Sequence, residues 1–186
     1  MSKNSIKNAV IVIAVLCAAI LIVYFAIINA PKEEETTKVS NAAKILAQNY
    51  DENYPSTPRE VLKAYADITQ CFYEPETTEE EIAGLAAMMR KLLDPELQAN
   101  QSYEDFLDSL RAEILQYRQA EKVITSYMVS SGTDVKYTTN EYGELATLYL
   151  TLSVREDGKI NRIKEQFILR RDEAKHWRIL GWQSAQ

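Results

Sequence analysis

One acid in this chain stands where an acid is costly. In the segment 159–170 a period of two puts Ile163, Glu165, Phe167 and Leu169 on one face and Arg162, Lys164, Gln166 and Arg170 on the other. A carboxylate on the apolar face must be hydrogen-bonded, paired or solvated in a cavity. In a cavity its pKa rises, which suits a general acid or base, or a group that grips a ligand. The alternative is structural: a sheet-end position left in solvent, or paired with a neighbouring Lys or Arg.

Other candidate chemistries find less support. His176 is the one histidine and stands beside a turn. The two cysteines, Cys17 and Cys71, lie far apart, one in an apolar run, so no disulfide framework is expected. No cluster with ligand spacing points to zinc, no glycine-rich loop to a phosphate, and no G-x-S-x-G to a serine nucleophile. The expectation is no catalytic set, no metal and no cofactor.

The elements that must position Glu165 are helices first and strands second. Thr57-Pro58-Arg59-Glu60 opens a helix: Thr57 caps, Pro58 takes the first turn where its missing N–H costs nothing, and Glu60 closes a capping box. Val61, Tyr65, Ile68 and Phe72 follow at helical spacing until Glu74-Pro75. Thr78 with Glu81 opens a second helix carrying Ile82, Leu85, Met89 and Leu92; Ser102 with Asp105 opens a third, carrying Phe106, Leu107, Leu110 and Ile114.

From Lys122 the period becomes two. Strands are expected from about Lys122 up to Ser131-Gly132, at 134–138, and along Ala146, Leu148, Leu150, Leu152 and Val154. A hairpin turn at Asp157-Gly158 leads into the strand of Glu165, and His176–Trp182 closes the sheet. Hairpin-linked strands imply antiparallel pairing with one face under the helices: an α+β fold.

Ahead of this domain, Ala9–Ile28 runs twenty residues without charge, Gly or Pro. A helix of that length rises about 30 Å, the thickness of a bilayer's hydrocarbon core. The expectation is a short cytoplasmic tail (1–8), a transmembrane helix (9–29) that uses the lipid bilayer as partner, a tether with one short helix (30–55), and the α+β domain (56–184). A cleaved secretory signal is disfavoured, because the run exceeds a signal's usual core and Ile28 and Pro31 flank a poor cleavage site. Lys3 and Lys7 precede the span, but Lys32, Lys38 and Lys44 follow it, so the charge rule is nearly balanced. The signal-anchor arrangement favours an amino terminus in the cytoplasm and a domain outside. The net charge is −6 and every acid follows Pro31, which opposes nucleic-acid binding.

The capped helix TPREVLKAY, two further helices, and long strands ending in WRILGW resemble the nuclear transport factor 2-like (cystatin-like cone) superfold over residues 50–183. With one span, an acidic tether and NYPSTPREVL, the chain is also similar to a family of uncharacterised single-span membrane-anchored bacterial proteins. The resemblance implies three helices packed on a curved antiparallel sheet. Ketosteroid-isomerase-like members of the superfold use an acid in the cone as proton shuttle with tyrosine or acid donors opposite. That implies Glu165 as pocket acid, with Tyr127 and Tyr149 as candidate donors.

Two functions follow. The favoured one is a non-catalytic interaction or scaffold domain, like anchored cone domains in bacterial secretion and conjugation machines. It would pair as a homodimer or with a membrane protein through the face of Thr147, Tyr149, Thr151, Arg162, Lys164, Gln166 and Ile168. The alternative is a small-molecule-binding or isomerase-like cone. A cavity around Glu165 favours the alternative; a cone filled by Phe72, Met89, Phe106 and Phe167 would remove it.

Overall fold

A computed structural model of the protein describes residues 39–185. The tail at 1–8, the anchor expected at 9–29 and the first part of the tether lie outside the described residues. Among the described residues, no helix is long and apolar enough to cross a membrane. The described chain is α+β, with helices followed by an antiparallel sheet.

Five helices come first: α1 (Asn41–Leu46), α2 (Pro58–Phe72), α3 (Glu79–Leu92), α4 (Pro95–Ala99) and α5 (Tyr103–Gln119). Both expected capping boxes form. The Thr57 hydroxyl accepts from the Glu60 N–H and the Thr78 hydroxyl from the Glu81 N–H, while each glutamate accepts from its cap's backbone N–H. Ser102 accepts from the Asp105 N–H to start α5.

The expected tether at 30–55 differs from what its second half does. Ala42, Ile45 and Tyr50 are buried in the core, and the Ser40 hydroxyl donates to Glu81 Oε1 at 2.8 Å. The cause is a close approach. Gly84 of α3 has no side chain, and a Cβ there would lie 2.8 Å from Leu46 Cδ2. The packed domain therefore begins near residue 39, not at 56.

The strands are β1 (Val123–Val129), β2 (Lys136–Asn140), β3 (Gly143–Glu156), β4 (Lys159–Arg171) and β5 (Trp177–Ser184). The sheet runs β1-β3-β4-β5, with β2 also pairing β3, all antiparallel. β2 starts two residues later than expected because Ser131 caps a single 3-10 turn at Gly132–Asp134. The β3–β4 hairpin closes through Asp157 and Gly158 at φ 50° and 73°, the paired left-handed conformations of a type I′ turn. Bulges fall at Thr125 in β1 and at Leu180 in β5, the latter opposite the Ile168–Leu169 step of β4, and they increase the local twist.

Alternate residues of β3, from Ala146 to Val154, are buried beneath the helices with Phe167, Leu169 and Ile179. Each such Leu, Ile or Phe contributes roughly 1.5–3 kcal/mol through the apolar surface it removes from water. The β5 edge is covered at Ile179, which bridges Leu93 and accepts from the Asp94 N–H at 2.8 Å.

Candidate functional site: a cavity around Glu165

Glu165 lies opposite Leu150 on β3 and Ser184 on β5, on the same helix-facing side as the fully buried Leu148 and Phe167. It opens into a half-enclosed cavity of about 270 Å³. The sheet contributes Leu152, Ile163, Glu165 and Trp182 to its walls. α2 contributes Tyr65, Thr69 and Phe72, which recur at the four- and three-residue steps that share one helix face. α5 contributes Phe106, Leu110, Glu113 and Tyr117 by the same spacing. Phe72, Met89 and Phe106 thus form walls, and Phe167 lies fully buried against Trp182, their rings stacked at 5.6 Å.

The two carboxylates have different surroundings. Glu113 Oε1 accepts from the Tyr73 hydroxyl at 2.7 Å, and the Tyr73 ring packs 4.2 Å from that of Tyr117. No described residue donates a hydrogen bond to the Glu165 carboxylate. Burial, and then the charge of Glu113, push the Glu165 pKa above the ordinary carboxyl value. Burial first, then the Glu165 charge, holds the Tyr65 phenol well above its usual pKa, so it stays protonated. Tyr65 also packs against Phe167 at 5.2 Å and Trp182 at 5.9 Å. The result is an aromatic chamber with one engaged and one unengaged acid.

The tyrosines expected opposite Glu165 are elsewhere. Tyr127 points from β1 to α2, where its hydroxyl donates to Asp67. Tyr149 lies opposite Gln166 on the other face of the sheet; its hydroxyl accepts from Gln166 Nε2 at 3.0 Å and Lys164 Nζ sits 4.9 Å from its ring centre. Neither lines the cavity. The register explains Tyr149: it alternates with Leu148 and Leu150, both inward. The residues not foreseen are Glu113, Tyr65 and Tyr73. Glu113 had a readable signal, since it falls three residues after Leu110 on the apolar stripe of α5, an acid on an apolar face like Glu165.

The remaining candidates stay structural. His176 stacks on Tyr54 at 4.4 Å, and its backbone N–H donates to Asp172 Oδ1 at 2.7 Å. Burial pushes the Cys71 thiol up to about 12, which leaves it unreactive at neutral pH. Among the described residues no group of His, Cys, Asp or Glu could hold a metal ion.

The chain matches the family described as a domain of unknown function, DUF6715, over residues 1–182. The protein belongs to that family. No curated protein matches it. Among solved structures it is similar to a de novo designed beta-sheet protein determined by solution NMR. The identity is 17 %, over 68 % of this chain and 88 % of that one, with a TM-score of 0.34. A likeness at that level does not bear on the fold of this DUF6715 member, whose function must be read from the cavity itself.

Proposed function

We propose that this DUF6715 protein is a small-molecule-binding domain whose ligand sits between α2, α5 and the sheet, anchored by Glu165. The observation that carries this reading is the unpartnered carboxylate in an aromatic cavity. A ligand donor would supply the hydrogen bond the protein does not, and an apolar body would cover the rings. The reading extends to a nuclear transport factor 2-like cone held outside the cytoplasm by a single-span anchor at 9–29, supported by the apolar run there. A second reading, a scaffold that pairs through the outer sheet face, is supported by Met128 and Ile160, which are 67 % and 62 % exposed on that face.

Native mass spectrometry of the full-length chain, purified in detergent without denaturation, tests both. The binding reading expects a stoichiometric adduct of small-molecule mass that is lost in Glu165→Leu. A clean dimer without adduct would overturn it in favour of the scaffold.

A further inference from the structure

We infer that the ligand is a small organic cation, an ammonium group carried on an apolar or aromatic body. This rests on the binding reading and names the class of molecule that the same cavity takes. Charge comes first. Glu113 and Glu165 both line the cavity, and among the described residues no Lys, Arg or His does. Two cations that approach the wall rings are engaged elsewhere. Arg90 sits 5.7 Å from the Phe106 ring centre but donates to the carbonyls of Gln98 and Gln101, and Lys122 sits 5.8 Å from that of Tyr117 but pairs with Glu156 at 3.0 Å. The cavity is thus lined by a half-buried acid, Glu165, and a more exposed one, Glu113, with no base among its described walls.

The rings give the second argument. Tyr65, Phe72, Tyr73, Phe106, Tyr117 and Trp182 all contribute to the walls. Aromatic faces are negative and attract a cation, more strongly where water is excluded. An anionic ligand would meet two carboxylates and no base among the described walls. A neutral apolar ligand would strip water from Glu165 and return no charge or hydrogen bond. An ammonium satisfies both features: it donates to Glu165 and lies against the rings.

Size fits one ring with a short arm. An apolar cavity of about 150 Å³ holds benzene, and this one is about 270 Å³. Tyr73 fixes Glu113 through its hydroxyl, which leaves Glu165 as the acid free to meet the ammonium.

The test is calorimetric titration of the full-length chain in non-ionic detergent with benzylammonium and with its neutral isostere benzyl alcohol. The expected result is a Kd for benzylammonium about tenfold or more below that for benzyl alcohol. Glu165→Gln should remove that advantage by weakening benzylammonium far more than benzyl alcohol, and Glu113→Gln should reduce it less. Thermal midpoints of both variants establish that they are folded. Equal affinities for the two probes, untouched by Glu165→Gln, overturn the cation assignment and leave the cavity reading standing. If neither probe binds in the millimolar range, both fall.

Discussion

At the junction of α3 and α4, Asp94 is 1 % exposed and both of its oxygens are engaged. Oδ1 accepts from the Glu96 N–H at 2.9 Å and from Arg170, and Oδ2 accepts from Arg170 Nε at 3.0 Å. In the cavity, Glu165 is less buried yet has no donor among the described residues. Both acids stand at the margin of the same core, and only one is answered by the protein. Asp94 caps α4 and, through Arg170, holds that helix to β4; its surroundings are complete without any other molecule. Glu165 finds no such partner among the described residues. The two acids differ in burial and, more sharply, in the number of partners each finds in the protein.

The sharpest way to break this contrast is to remove the engaged acid. Asp94→Ala leaves Arg170 without its buried partner and α4 without its cap, and should cost about 3 kcal/mol or more, read as a lower urea midpoint. Next comes the coupling itself. A double-mutant cycle of Asp94→Ala and Arg170→Ala should give an interaction of about 2 kcal/mol, because each single variant strands the other group. Additive losses would mean that the pair is not the element that secures the junction.

A smaller effect concerns pH. The Glu165 pKa lies above its ordinary 4.5. Between that value and the raised one, the native state holds a proton that the unfolded chain has released. The stability from this group is therefore present at low pH and falls as pH rises through the folded pKa. Glu165→Gln should flatten that part of the stability profile, while Asp94 variants leave it in place.

What the sequence made legible follows from how local each interaction is. The capping boxes at Thr57 and Thr78 and the Asp157-Gly158 turn join residues a few positions apart, and all three form. The inward placement of Glu165 followed from period two alone, and holds because Leu150 and Phe167 fix the register. The same rule turns Tyr149 outward. Elements made by distant partners were not legible. α4 is only five residues long and draws on Arg170, about seventy residues away. The burial of Ala42 and Ile45 depends on Gly84 leaving room for Leu46. The walls of the site depend on how α2 and α5 rotate over the sheet, which brings Tyr65, Tyr73 and Glu113 around Glu165 and leaves Tyr127 with Asp67. Sequence period gives the face of each element, and only packing decides which faces meet.

The central claim is that Glu165 is kept for a ligand at the expense of stability. Equilibrium urea unfolding of the ligand-free protein with Glu165→Leu tests it most directly. Leucine occupies similar space, needs no partner and matches Leu152 and Ile163 on the cavity wall. The account predicts a stability gain of about 0.5–2 kcal/mol together with loss of ligand binding. A fall comparable to that of Asp94→Ala would contradict it and make Glu165 a structural acid with a partner of its own.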